Sequence, residues 1–255
     1  MFIHKKELLV PVKVEAPNLR FGQYLLEQFG GATGELTASL QYFVQSFHVT
    51  NAPLKDMLLD IATEEMGHLE MVGMLIEQHT SGASKVKAEE SQLFALRGRG
   101  PHFLDSFGSA WTASYINEGG DVTRDLRANI ASEAGARQTY ESLILQAPDE
   151  GSKKALVHLL TREISHTAMF MEALQSLGKL TDPYFGNIPP DDTVNIYFNM
   201  SSNGKDERGP WNSEPKFRYV ADPLKGRPSD VHPGVSVPGS EEVFESDKQH
   251  SVLRR

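Results

Sequence analysis

TEEMGHLE, residues Thr63 to Glu70, sets two adjacent carboxylates and a histidine inside a segment that otherwise repeats like the seam of an apolar helix. Around it, Leu54, Leu58, Ile61, Glu65, His68, Val72 and Leu75 follow alternate steps of four and three residues, the pattern of the buried stripe of a packed helix. Glu65 and His68 fill two slots of that stripe and so point inward. A second segment does the same: Leu156, Leu159, Glu163, His166, Phe170, Ala173 and Leu177 again give two central slots to Glu-x-x-His. No other Glu-x-x-His occurs in the chain. The bare pattern says little, but its placement in both seams says a great deal.

Working outward, four long segments carry helical periodicity, roughly Leu19 to Val49, Pro53 to Gln78, Asp121 to Gln146 and Asp149 to Leu177. Asn18, Asn51 and Asp121 stand where N-terminal caps belong, Pro53 suits a first turn, and Gly82 and Gly178 are stop signals. Short links within each pair predict two antiparallel hairpins. Between the pairs lie about forty residues, with GRGPHF and NEGGD as breakers, enough for one long crossover. The expected fold is therefore an all-α four-helix bundle over residues 1–180. Beyond Leu180 the composition changes, because nine of the 14 prolines lie there and helical period is lost. Residues 181–255 are expected as an irregular Pro/Gly-rich extension over the bundle or a neighbouring chain, with a disordered end from about Ser240.

Composition narrows the function. A net charge of −9 without a sustained Lys/Arg block argues against nucleic acid or an anionic membrane surface as partner and favours a small, neutral one. No apolar run reaches the length of a spanning helix, and the first residues lack the pattern of a signal peptide, so the expected location is cytoplasmic. With no cysteine, disulfides, zinc–thiolate sites, iron–sulfur clusters and thiol catalysis are excluded.

Each Glu-x-x-His has a partner upstream in its own hairpin. Glu35 lies 30 residues before Glu65, and Glu133 lies 30 before Glu163. Equal offsets in two antiparallel hairpins can bring four glutamates and two histidines to one level, the arrangement of a dinuclear carboxylate site. Oxygen and nitrogen donors without sulfur suit manganese or iron. The alternative, buried salt bridges without a cation, requires several carboxylates to be desolvated close together, at several kcal/mol for each unpaired ion.

Glu35 in GGATGEL, Glu65 and His68 in TEEMGHLEM, Glu133 in SEAGAR, and Glu163 with His166 in LTREISH closely resemble the manganese catalases, dimanganese enzymes of the ferritin-like superfamily. The resemblance extends through GPHFLDSFGSAWTASYINEGGDVTRDLRANI and the later segment NMSSNGKDERGPWN. It implies disproportionation of hydrogen peroxide to water and dioxygen at two manganese ions per chain, joined by a bridging solvent, with the metal pair cycling between manganese(II) and manganese(III). Glu35 and His68 would bind one ion, Glu133 and His166 the other, and Glu65 would bridge them. Glu163 would be an acid/base beside the cluster rather than a ligand. The family further implies a homohexamer, an outer tyrosine at Tyr42, and a structural calcium for which Asp56, Asp60, Asn199 and Ser201 are candidates. Arg137, one turn beyond Glu133, could neutralise a buried carboxylate; Tyr140 reads as packing. Some relatives carry a basic residue just before the third-helix glutamate, where this chain has Ser132. Gly30, Gly31 and Gly34, expensive inside a helix, are expected to admit close neighbours or substrate near Glu35, or else to mark an irregularity. Two other functions share parts of this pattern: a di-iron oxidase or rubrerythrin-like peroxidase, and a non-enzymatic shell component built on the same bundle.

Overall fold

The computed structural model of the chain describes residues 3–81, 86–184, 186, 188–201 and 207–223. Six α-helices follow in order: α1 (Leu19–Gly30), α2 (Glu35–Ser46), α3 (Ala52–His79), α4 (Gln92–Arg97), α5 (Val122–Gln146) and α6 (Glu150–Ser176). The caps read from sequence form as expected. Asn18 accepts from the amide of Phe21, Asn51 from Leu54 and Asp121 from Arg124; Asp149, not read as a cap from the sequence, does the same for Ser152. Each satisfies one of the amides that a helix start leaves without a partner. Gly178, at φ +67°, ends α6 in the left-handed region that glycine enters freely. The expected stop at Gly82 and the expected disorder from Ser240 lie outside the described residues.

The bundle has four arms, the first built from α1 and α2 together. This arm runs antiparallel to α5, since Gln28 donates to the carbonyl of Ala136 while Gln45 meets Asn129. Likewise α3 runs antiparallel to α6, with His79 beside Ser152 and Glu64 beside Arg162. Between the two hairpins the chain travels the bundle's length, so a long crossover is unavoidable. Two apolar clusters fill the interior. One holds Leu25, Leu26, Val72, Leu75, Leu156 and Leu159; the other holds Leu58, Ile61, Leu126, Phe170 and Leu174. The polar slots of both seams fall between these clusters. An extended N-terminal arm turns Leu8, Val10, Val12 and Val14 towards the first cluster, and Gln78 holds it through the carbonyl of Val12 and the amide of Val14.

The predicted first helix is in fact two. After Gly30 the chain breaks, and α2 begins at Glu35 with Gly34 as a cap that has no side chain to offer. Close backbone approach explains the glycines. A Cβ on Gly30 would stand 2.6 Å from the carbonyl oxygen of Leu104, and one on Gly34 would stand 2.7 Å from that of Gln28. The crossover thus lies directly on the end of α1. It is pinned further along by Trp111, whose indole donates to Thr37 at 2.9 Å, and by Gln41, which accepts from the amide of Asn117. The crossover also contains α4, too short at six residues to announce itself by periodicity.

The chain divides into two compact units, residues 1–185 and 186–255. The second contains a 3-10 turn (Asp192–Asn195) and two short parallel strands, β1 (Ile196–Phe198) and β2 (Arg218–Val220), which sequence reading did not anticipate. Tyr197 and Tyr219 pair across them with stacked rings, and the guanidinium of Arg208 lies 3.4 Å from the centre of the Tyr219 ring. Among the described residues no helix is long and apolar enough to cross a membrane.

Candidate metal centre

Glu35 is the first residue of α2, so its carboxylate sits at the positive end of that helix's dipole. Glu65 and His68 come from the middle of α3, Glu133 from α5, and Glu163 with His166 from α6. All six are at most 1% exposed. Their ligand atoms form two overlapping groups, Glu35–Glu65–His68–Glu163 and Glu65–Glu133–Glu163–His166, within each of which every chosen atom lies within 4.8 Å of the others. Glu65 is the hinge between them. Its Oε2 is 2.7 Å from Nδ1 of His68 and its Oε1 is 2.7 Å from Nδ1 of His166. The two imidazoles stack with centroids 5.6 Å apart.

Several of these atoms are buried with no hydrogen-bond partner: Oε1 of Glu65, Oε2 of Glu133, Oε1 of Glu163 and both ring nitrogens of His166. Such orphans cost stability unless something else satisfies them. Oε1 of Glu65 and Nδ1 of His166 approach closely without hydrogen-bond geometry, whereas Oε2 of Glu65 and Nδ1 of His68 make a hydrogen bond at the same distance; a cation would satisfy the unpartnered pair. The donor set, all oxygen and imidazole nitrogen, fits manganese or iron.

Electrostatics point the same way. Burial, then repulsion from Glu65, Glu35 and Glu133, holds the Glu163 carboxyl well above the usual range. Burial and the Glu65 charge push Glu35 up to about 8, and burial raises Glu133. Of the four glutamates in the two groups only Glu65 is depressed: burial opposes its charge, but His68 and His166 outweigh that. The imidazoles are raised despite burial, His166 to about 11 through its contacts with Glu133, Glu64 and Glu65, and His68 chiefly through Glu65. Protein alone can hold this much buried acid only by keeping protons on it. Two divalent cations would take their place.

Two tyrosines orient the outer carboxylates. Tyr42 donates to Oε1 of Glu133 at 2.5 Å, and Tyr140 donates to Oε1 of Glu35. Both are fully buried, and burial together with the adjacent carboxylates keeps their hydroxyls protonated. Tyr140 is thus more than packing. Its signal was present in the sequence, since it follows Glu133 by seven residues as Tyr42 follows Glu35. Arg137, by contrast, neutralises no buried carboxylate; it pairs with Glu141 one turn on, along the exposed side of α5. Glu64, not singled out from sequence, lies against the histidines' outer nitrogens, and Arg162, also not singled out, pairs with Glu64.

A cavity of about 10 Å³, enough for a water-sized molecule, adjoins the centre. Ala32 and Thr33 from the break between α1 and α2 line it, with Ser132, Glu133 and Glu163. Ala32 and Thr33 are exposed, so the break lies between this space and solvent. Asp56 and Asp60 are exposed one turn apart on α3 and belong to neither ligand group; Asn199 and Ser201 follow β1 in the second unit.

A family model described as manganese containing catalase matches residues 1–230. The chain belongs to the manganese catalase family. Among its relatives, a probable manganese catalase of Clostridium acetobutylicum is 39% identical, covering 85% of this chain and 98% of that protein. The protein CotJC of Bacillus subtilis is 36% identical, covering 71% and 97% respectively. Among solved structures, KatB, a manganese catalase from Anabaena, is 70% identical with a TM-score of 0.84, covering 88% of this chain and all of that one. The manganese catalase family therefore accounts for the helical bundle and for a buried carboxylate–histidine group at its centre.

Proposed function

We propose that the bundle centre holds two manganese ions per chain and disproportionates hydrogen peroxide to water and dioxygen. The chain is an oxidoreductase of the manganese catalase family, acting on hydrogen peroxide. The observation that supports a dinuclear site is Glu65, whose two oxygens each stand 2.7 Å from the inward nitrogen of a different histidine. On that reading Glu35 and His68 would hold one ion, Glu133 and His166 the other, and Glu65 would lie between.

Bound manganese would supply redox chemistry between its divalent and trivalent states. The protein's part is to hold ligands and move protons. Tyr42 and Tyr140 fix the outer carboxylates, and the two apolar clusters keep bulk water from the centre. Glu163 has a buried, unpartnered Oε1, lines the cavity, and has its carboxyl held well above the usual range by burial and its acidic neighbours. It is suited to give a proton to a peroxide oxygen and to take one back. Peroxide would enter past Thr33, with Ser132 leaving uncharged the place where some relatives carry a basic residue.

The same reading includes a homohexamer working in the cytoplasm, the Pro/Gly-rich extension embracing a neighbour, and a calcium ion for which Asp56, Asp60, Asn199 and Ser201 are the candidates. Purified, manganese-replete protein should contain close to two manganese per chain and evolve dioxygen from peroxide without added reductant. Stoichiometric iron with negligible manganese in active protein overturns the assignment. Sedimentation and calcium analysis after dialysis against chelator test the remaining points.

A further inference from the structure

One residue before each Glu-x-x-His stands a charged side chain with no part in the chemistry above: Glu64 in TEEMGH and Arg162 in TREISH. The two occupy the same register of the two seams, four residues before His68 and His166. Because α3 and α6 run antiparallel, equivalent positions meet. Arg162 donates from Nε to Oε1 of Glu64 at 2.6 Å, and more weakly from a terminal nitrogen to Oε2 at 3.4 Å.

The same two oxygens face the histidines from the side away from Glu65. Oε1 of Glu64 lies 3.5 Å from Nε2 of His68, and Oε2 lies 3.3 Å from Nε2 of His166. Both Nε2 atoms are buried and have no hydrogen-bonded partner, which leaves Glu64 as the acceptor in reach. Both Nδ1 atoms meanwhile point inward to Glu65. An imidazole that donates through Nε2 keeps its lone pair on Nδ1, and a ligating histidine needs that second partner to fix its ring and tautomer.

We propose that Glu64 is the positioning residue for both histidines at once: its carboxylate accepts from the two Nε2–H groups, aims both Nδ1 lone pairs inward, and is itself held by Arg162. Its half-buried place supports this, as does Arg162, which donates to both of its oxygens and fixes the carboxylate between the two rings. A carboxylate is required. An amide at this position has one acceptor and one donor, so it can satisfy only one of the two N–H groups.

The proposal rests on the dinuclear reading above, and metal binding separates the two. Metal-depleted full-length protein is titrated with manganese against a competing chelator, and its melting is followed separately by circular dichroism. If the unaltered protein fails to take up two manganese, the dinuclear reading itself fails. If it binds two, Glu64→Gln is expected to weaken both sites, by about 10- to 100-fold. A merely structural role would lower the melting temperature of the metal-depleted protein and leave the affinity of the folded protein unchanged. Unchanged affinity, or weakening at one site only, overturns the proposal. Should Glu64→Gln not fold, Arg162→Gln carries the test. A several-fold weakening at both sites is then expected, and unchanged affinity is again the overturning result.

Discussion

The hydroxyl of Tyr140 donates to the carboxylate of Glu35, across the bundle from the helix that carries it. Tyr42 and Glu133 repeat the relationship in reverse. Each tyrosine stands seven residues beyond the glutamate of its own arm and bonds the glutamate of the other, so the two arms are cross-linked at the level of the site. Tyr140→Phe keeps the ring in its apolar setting and removes only the donor. Loss of such a partner costs about 10- to 100-fold in metal affinity or activity, and Tyr42→Phe should match it at the other end. Manganese titration and dioxygen evolution read both. A silent Tyr140→Phe beside an impaired Tyr42→Phe would show that the symmetry has no functional weight.

Glu163 belongs to both ligand-distance groups, so its role is decided by metal content rather than by position alone. As an acid/base, Glu163→Gln should retain both manganese ions while turnover falls by roughly 10²- to 10⁴-fold. Glu65→Gln and His68→Ala are the controls and should lose metal. If Glu163→Gln loses one ion per chain, it is a ligand and a di-iron type of site becomes the better description.

Manganese uptake should release protons. Without metal, Glu35 titrates near pH 8 and Glu163 and Glu133 are raised, so at pH 7 the centre holds protons that cations must displace. Apparent affinity should therefore climb as pH rises towards about 8. Adding manganese to weakly buffered, metal-depleted protein ought to acidify the solution; a titration with no proton release would contradict the charge balance described above.

Away from the site, His79 makes folding acid-sensitive. It is buried at the end of α3, edge-on to Phe21, with Nε2 donating to the hydroxyl of Ser152, which in turn donates to Asp149. Its Nδ1 has no partner, and burial depresses its pKa from 6.5 to about 4. The unfolded chain therefore binds the proton first. This contribution is fully present above about pH 6.5 and is lost as pH falls towards 4, to a total of roughly 3 kcal/mol. Urea unfolding of metal-depleted protein between pH 7 and pH 4.5 should fall less steeply for His79→Gln than for the unaltered chain. Parallel pH dependences would remove His79 as the cause.

Two glycines should respond oppositely to alanine. Gly30→Ala drives a methyl into the backbone of Leu104 and should cost about 1–3 kcal/mol. Gly67, inside α3 with nothing within 4 Å of an added Cβ, should gain about 0.5–1 kcal/mol. Melting temperatures of the two variants decide the matter, and a stabilised Gly30→Ala would mean that the crossover is not seated on α1.

The seams of α3 and α6 were legible because burial imposes a period, and a polar residue at a buried slot is conspicuous against it. Glu65, His68, Glu163 and His166 stood out for that reason. Glu35 and Glu133 followed from equal offsets. What escaped lies outside periodicity. Glu64 and Arg162 flank the stripe, where charge is ordinary, and only their meeting across two helices gives them meaning. Tyr140 looked apolar enough to be core. Gly30, Gly31 and Gly34 signalled close neighbours or an irregularity, and the structure has both, but the residues on either side keep a helical pattern and the cause, the backbone of Leu104, comes from a segment more than seventy residues away.

The unlike pair Glu64 and Arg162 also bears on which hairpins can associate. Two copies of the first hairpin placed face to face would set Glu64 against Glu64, and two copies of the second would set Arg162 against Arg162. Only a first hairpin against a second cancels the charge, and like-charge juxtaposition of this kind is a common means of rejecting wrong partners. During synthesis the first hairpin emerges alone, its seam already written for a helix that does not yet exist. A carboxylate beside that seam would set like charge against like in a pairing of two first hairpins, and only Arg162 of the second hairpin offsets it.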